Sequence, residues 1–291
     1  DKSVIEEDGI DAICTGEGDF SFPEFVRRIQ AREEWWLTPT FHVKYENKIY
    51  RNPLGDLIPD LNKLPPPDRQ ILYDADPNLA DISCKAFISA RGCPYKCSYC
   101  FNKEYNDYYK DKGQILRVKS PEIMVQEIED VRKKYALDIV MFGDDVFTLK
   151  PQGWIEEFAK LYKKRVGLPF SCTARASSLK KEDVKILADC GLIHVWMGIE
   201  CGDEKVANDI MLRQTTNEKI LEVNEWFKEY NVKLLSLNIM GLPVDNAFEV
   251  DLATVDLNLK LKPGLASFNL LYPFPGTAIG RMAEKSGHFK Y

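Results

Sequence analysis

From residue 85 onward, short apolar runs alternate with longer segments of helical spacing. The β-type runs are 85–90, 138–142, 170–174, 194–199, 233–240 and 266–272. Between them, Met124, Ile128, Val131 and Tyr135 recur on one helical face. Trp154, Phe158, Leu161 and Tyr162 do the same, as do Ile220, Val223 and Phe227. Ser120-Pro121-Glu122 reads as a helix start, with Ser120 as cap and Pro121 in the first turn, and Thr216 reads as the cap of the third helix. Strands alternating with helices need crossovers, and crossovers give a parallel sheet. Six such units fall short of the eight of a closed barrel, so the pattern predicts an α/β fold with a partial, open barrel.

Upstream, Ala12, Ile13 and Cys14 form a short apolar run. Gly16-Glu17-Gly18 follows as a turn, and then a helix carries Phe22, Phe25, Val26 and Ile29. This reads as the tail of an α/β unit. The next stretch is rich in proline and aromatics, with Pro65-Pro66-Pro67 near its centre, and reads as a linker with one hairpin over 41–50. The expected division is therefore 1–34, 35–79 and 80–291.

The strand ends carry Arg91-Gly92-Cys93, Gly143-Asp144-Asp145, Arg175, Glu200 and Met240-Gly241-Leu242-Pro243. In parallel α/β folds ligands gather at the carboxyl ends of strands, so this rim is the expected site. Composition narrows the picture further. With 45% hydrophobic and 29% charged residues in 291, the chain is globular rather than disordered. A net charge of −6 argues against a general nucleic-acid binder. No long apolar run predicts a membrane span, and no basic-then-apolar segment opens the chain. A cytoplasmic location is expected.

Eight cysteines change the picture most. Cys93, Cys97 and Cys100 form Cys-x3-Cys-x2-Cys directly after the first strand. Three thiolates on one loop suit three irons of a cubane cluster and leave the fourth iron open to a substrate or cofactor. A structural zinc site asks for four ligands, and Cys97–Cys100 alone has the spacing of a redox pair; both stay open as alternatives. Cys14, Cys84, Cys172, Cys190 and Cys201 read as small buried hydrophobes. His42, His194 and His288 do not form a metal set.

The segment from Ile88 to Cys100, with Arg91-Gly92-Cys93-Pro94-Tyr95-Lys96-Cys97-Ser98-Tyr99-Cys100 at its heart, resembles the cluster loop of the radical S-adenosylmethionine superfamily. The resemblance covers about residues 80–291. Gly16-Glu17-Gly18-Asp19 and Leu61-Asn62-Lys63-Leu64-Pro65 resemble the junction in the branch of that superfamily where a Rossmann-like cobalamin domain precedes the radical domain. Residues 1–34 would then be the end of such a domain. The branch's cobalamin-ligating signature, Asp-x-His-x-x-Gly, is absent from this chain, so cobalamin is inferred from the junction alone.

The resemblance implies a [4Fe-4S] cluster held by Cys93, Cys97 and Cys100, and S-adenosylmethionine on the open iron. An electron from the cluster would split the sulfonium bond, and a 5′-deoxyadenosyl radical would abstract hydrogen from substrate. The cofactors carry that chemistry; the protein places them and excludes solvent. By the same resemblance, Tyr99 meets the adenine through its backbone, and Gly143 and Asp144 receive the cofactor's amino group. Glu200 binds the ribose hydroxyls, and Met240 and Gly241 line the adenine. Arg213 pairs with the cofactor carboxylate; Arg175 could do so instead, or meet substrate, and a surface arginine is the plain alternative for either. The resemblance further implies cobalamin-dependent methyl transfer to an unactivated carbon of a small-molecule or lipid-like substrate. An electron donor such as flavodoxin or ferredoxin would serve it. Radical cyclisation or rearrangement is the rival within the class, and methylthio transfer fits less well because no second cluster motif is present. A non-catalytic iron–sulfur redox protein and a zinc-stabilised interaction module are the rivals outside it.

Overall fold

The computed structural model of the chain describes residues 3–287, 289 and 290, which form two compact units. One takes in the chain up to Leu64 together with Tyr109–Ile115; the other takes in Pro65–Tyr108 and the chain from Leu116 onward. His288 lies outside the described residues.

The first unit holds β1 (Ala12–Cys14), α1 (Gly18–Ala31), β2 (Phe41–Tyr45) and β3 (Lys48–Arg51). The expected hairpin is present. Glu46 and Asn47 at its tip have φ of 48° and 60°, the left-handed geometry of a two-residue turn whose twist matches its strands. The expected α/β tail is different from what the residues form. β1 pairs antiparallel with β2, giving a sheet of order β1-β2-β3. The reason is packing: Phe25 of α1 stacks on Phe41 of the hairpin at 4.2 Å, and Trp36 stacks on Tyr45 at 4.0 Å. The hairpin thus supplies the apolar face that α1 covers, while Phe22 and Ile29 of the same helix stay exposed. Gly16 allows a close approach here, since a Cβ would sit 2.1 Å from the hydroxyl of Tyr109, which accepts a hydrogen bond from the Glu17 N–H.

The second unit opens with α2 (Gln70–Ala75) and α3 (Asn78–Asp81). The buried Lys85 holds the end of this stretch, donating to the carbonyls of Leu79, Ala80 and Ile82. A parallel sheet follows, formed by β4 (Cys84–Phe87) and then, beyond two short strands, by the larger ladder. The short strands β5 (Ala90–Arg91) and β6 (Arg117–Val118) pair with each other and flank α4 (Phe101–Tyr108). The ladder continues through α5 (Pro121–Lys134), β7 (Ile139–Phe142), α6 (Trp154–Arg165), β8 (Phe170–Ala174), α7 (Lys181–Cys190) and β9 (Leu192–Glu200). It ends with α8 (Glu204–Asp209), α9 (Asn217–Glu229), β10 (Lys233–Met240), α10 (Ala247–Leu261), β11 (Leu265–Leu270) and α11 (Ala278–Lys285). The six-stranded order β11-β10-β9-β8-β7-β4 is sequential and parallel throughout, the topology of six βα units in a partial barrel.

The first expected strand is shorter than the pattern suggested. It leaves the sheet after Phe87, because Ser89 turns inward to bond Asp144 and the next two residues pair with β6. The expected caps hold: the Ser120 hydroxyl accepts from the Ile123 N–H, and the Thr216 hydroxyl from the Lys219 N–H. The main core lies between sheet and helices. Phe142, Phe170, Val195 and Met197 of the strands pack against Met124, Phe158, Leu187 and Phe227 of the helices. Along β9, Val195, Met197 and Ile199 are buried while Trp196, Gly198 and Glu200 alternate with them, which places the latter set on the barrel's inner face.

Candidate functional site

The cysteine loop begins at Gly92, whose φ of 87° suits a residue without a Cβ. It is pinned at several points. The Ser98 N–H donates to the Met211 carbonyl, the Ile279 N–H donates to the Ser98 carbonyl, and the Asn106 amide donates to the Cys93 carbonyl. Directly after Cys100 the chain enters α4. The loop is therefore held by the helix that follows it, by the turn after α8 and by α11.

Cys93, Cys97 and Cys100 are free thiols, the first two buried and the third half-buried. All three line one cavity of about 190 Å³, with Tyr95, Tyr99, Asp145, Arg175, Trp196, Glu200, Arg213 and Leu237 among its other walls. Burial pushes the Cys93 thiol up to about 11 and raises the Cys100 thiol as well. Without a metal these two stay protonated at neutral pH; bound iron would hold them as thiolates. Among the described residues, no three His, Cys, Asp or Glu side chains converge closely enough to chelate a single ion. A cubane asks for another arrangement, one thiolate per iron with donors spread around the cube.

Beside the thiols is a buried charged group. The Arg213 Nη1 donates to the Tyr99 hydroxyl at 2.9 Å and lies 3.8 Å from Glu200 Oε1, and its Nη2 donates to the Gly198 carbonyl. Burial raises the Glu200 carboxyl above its ordinary value, with Arg213 working against that shift. Burial, reinforced by Glu200, raises the Tyr99 phenol well above its ordinary range. For Arg213, burial acts against the charge, but Tyr99, Glu200 and Cys97 more than offset it and its pKa is raised. Glu200 sits at φ 67°, a strained backbone for a residue with a long side chain. Gly198 makes room for it, since a Cβ there would lie 2.3 Å from Glu200 Oε1.

Arg175 is buried in the lining of the same cavity. Its Nη1 is 3.3 Å from the Cys97 sulfur, and its guanidinium stacks over the Tyr95 ring at 3.9 Å. Among the described residues, Arg175 Nη2, Arg213 Nε and the Ser98 hydroxyl are buried without a hydrogen-bond partner. Buried donors left in this way mark a place for an acceptor.

The structure thus brings together Cys93, Cys97, Cys100, Tyr99, Arg175, Glu200 and Arg213. Neither arginine is a surface residue. It does not bring in the other four expected residues. Asp144 does not line the cavity. Its carboxylate is fully buried, 3.2 Å from the equally buried Lys150, and accepts from the Ser89 hydroxyl at 2.8 Å. Burial lowers the Lys150 pKa, partly opposed by Asp144. Gly143 spends its N–H on the Phe87 carbonyl. Asp145, the next residue in the same motif, is the one that lines the cavity, accepting from the Asn102 amide at 2.8 Å. Met240 and Gly241 lie beyond the lining; the Gly241 N–H donates to Asp251, and Leu237, lower on β10, takes the wall instead.

Other cysteines split. Cys172, Cys190 and Cys201 are buried as expected, whereas Cys14 and Cys84 are exposed, because each sits at a strand end rather than on a packed face. Tyr95, Asp145, Trp196 and Leu237 were not singled out from the sequence. Trp196 was legible by alternation with Gly198 and Glu200.

The sequence matches the family described as the radical SAM superfamily over residues 87–254. The chain belongs to that superfamily. Among curated relatives of this radical SAM chain is a protein named as an uncharacterized methyltransferase from Pyrococcus horikoshii, 24% identical over 94% of this chain and 58% of that protein. An anaerobic magnesium-protoporphyrin IX monomethyl ester cyclase from Rubrivivax gelatinosus is 25% identical over 91% of this chain and 48% of that protein. The chain spans about half the length of these relatives. Among solved structures, the radical S-adenosylmethionine methyltransferase TsrM from Kitasatospora setae matches with a TM-score of 0.72 and 18% identity, covering 97% of this chain and 56% of that one. The cobalamin-dependent S-adenosylmethionine radical enzyme OxsB matches with a TM-score of 0.73 and 16% identity, covering 99% of this chain and 46% of that one. At such identities these structures report the fold. Three free thiols and unpartnered buried donors on one cavity fit the family's two cofactors, a [4Fe-4S] cluster and S-adenosylmethionine.

Proposed function

We propose that this chain is the catalytic core of a radical S-adenosylmethionine enzyme, and that its reaction is cobalamin-dependent methyl transfer to an unactivated carbon. Cys93, Cys97 and Cys100 would hold three irons of the cluster. When bound, the cluster and S-adenosylmethionine supply one-electron cleavage of the sulfonium carbon–sulfur bond and hydrogen abstraction from substrate.

The chain's own residues do the rest. Arg213 and Arg175 present the buried donors Nε and Nη2, which suit the cofactor carboxylate. The Glu200 carboxylate suits a pair of ribose hydroxyls, because it accepts from both at once. Tyr99 closes the wall beside it, and Trp196 and Leu237 give the cavity an apolar side that limits water. The substrate class is a small or lipid-like molecule, the electron donor a flavodoxin or ferredoxin, and the location the cytoplasm. Among the described residues no helix is long and apolar enough to cross a membrane.

The observation that carries this reading is the shared cavity, lined both by three free cysteines and by Glu200, Arg213 and Tyr99. Methyl transfer is supported by the likeness to the Pyrococcus relative and to TsrM, both named as methyltransferases. The cyclase among the relatives favours ring formation as the second reading.

Anaerobic reconstitution with iron and sulfide tests the core of the proposal. The expected result is cluster absorbance, and 5′-deoxyadenosine when S-adenosylmethionine and dithionite are added. Cys97→Ala is expected to lose the cluster. Zinc bound in place of iron would favour an interaction module, and a cluster that leaves the cofactor intact would favour a redox carrier.

A further inference from the structure

Arg175 is held from three directions. Its Nε donates to the Ser177 hydroxyl at 3.0 Å, its guanidinium lies 3.9 Å over the Tyr95 ring, and its Nη1 reaches the Cys97 sulfur at 3.3 Å. An arginine side chain carries much rotamer freedom, and here that freedom is removed by stacking and by a donor bond from its own turn. The three cysteines are not alike. Cys97 faces the guanidinium groups of both Arg175 and Arg213, the latter at 4.0 Å. Cys93 and Cys100 line the same cavity as Asp145. Arg213 divides its donors among Tyr99, Gly198 and Cys97. Arg175 gives Nη1 to the sulfur, and its Nη2, like Nε of Arg213, has no partner among the described residues.

We propose that Arg175 is a positioning residue for the iron–sulfur cluster, donating from Nη1 to the Cys97 thiolate and thereby making the cluster easier to reduce. Tyr95 serves as the platform that keeps the guanidinium in place. Reduction adds one electron to the cluster, with no proton taken up and no bond broken; a low-potential one-electron donor supplies it. That added negative charge is shared with the thiolate ligands, so a fixed cation beside one of them stabilises the reduced form more than the oxidised form. Orientation follows from the same contact, because it fixes one of the three corners of the site.

The inference rests on the three-cysteine reading above, and the experiment separates the two. The full chain is reconstituted with iron and sulfide, and the cluster's midpoint potential is followed by electron paramagnetic resonance during a redox titration. Arg175→Met is expected to lower the potential by at least 59 mV, a tenfold change in a one-electron equilibrium, with iron and sulfide content unchanged. Arg175→Lys keeps the charge without the fork and is expected to fall between wild type and Met. Tyr95→Leu removes the platform and is expected to shift the potential in the same direction by less. A full cluster with an unshifted potential in Arg175→Met overturns the proposal. Where Arg175→Met holds no cluster, unshifted potentials in both Arg175→Lys and Tyr95→Leu overturn it. A wild-type chain that binds no cluster overturns the three-cysteine reading instead.

Discussion

At the residue scale, two strand-end motifs show how differently one side-chain type behaves. Asp144 and Glu200 both stand at strand ends, yet the first is spent on the fold and the second faces the cavity. Lys150→Met would leave the Asp144 carboxylate buried without its cation. Stability should fall by about 3–5 kcal/mol in denaturant unfolding. Glu200→Gln should weaken S-adenosylmethionine binding by roughly tenfold, measured by calorimetry on the reconstituted chain. The raised pKa of Glu200 adds a pH dependence whose sign is fixed. Because burial raises it above 4.5, the stability this group lends is full below that value and is lost as pH rises through the raised one. Binding runs the other way, since the ionised carboxylate is the better acceptor. Affinity should rise with pH through the same window, above 4.5, and Glu200→Gln should flatten the rise. That Asp145 rather than Asp144 meets the cavity was not legible locally. Two adjacent carboxylates in one turn point differently, and the choice was made by Lys150 and by Ser89, which is 55 residues away in the chain.

At the element scale, periodicity was a good guide because it records burial directly. The strands β8 and β10 begin and end where the apolar pattern does, and α5 and α9 start at the expected Ser120 and Thr216. Ser120→Ala and Thr216→Ala should each cost about 1 kcal/mol, read from thermal or denaturant unfolding, because each leaves a helix N–H without its side-chain acceptor. Gly202, between β9 and α8, is harder to read from the sequence. A Cβ there would stand 2.1 Å from the Ala253 carbonyl of α10, which is backbone and cannot rotate aside. Gly202→Ala should therefore destabilise by about 1–3 kcal/mol or more. The early end of β4 and the antiparallel setting of β1 were both set by partners outside their own segments.

At the scale of the whole molecule, the second unit gathers at one cavity residues from the cysteine loop, from β8, β9 and β10, and from the turn after α8. A ligand bound there stabilises the folded form by mass action. S-adenosylmethionine at a hundredfold excess over its Kd should add about 2.7 kcal/mol to the stability of the reconstituted chain. The gain should be smaller in Glu200→Gln at the same concentration, and an identical thermal shift in the two would remove Glu200 from the site.

The order of amino acids alone specified the alternating strands and helices, the helix caps and the cysteine triad. Each of these depends on spacing within a few residues, through burial on one face or donors on one short loop. It also marked Arg175 and Glu200 as members of a rim. Folding in three dimensions decided which acid of the Gly143-Asp144-Asp145 turn faces inward, and that Arg175 lies against Cys97. It also decided that the hairpin, not a parallel neighbour, covers β1. Those outcomes are settled by contacts between segments distant in the chain, and a carboxylate or guanidinium goes to whichever distant partner best offsets the loss of water.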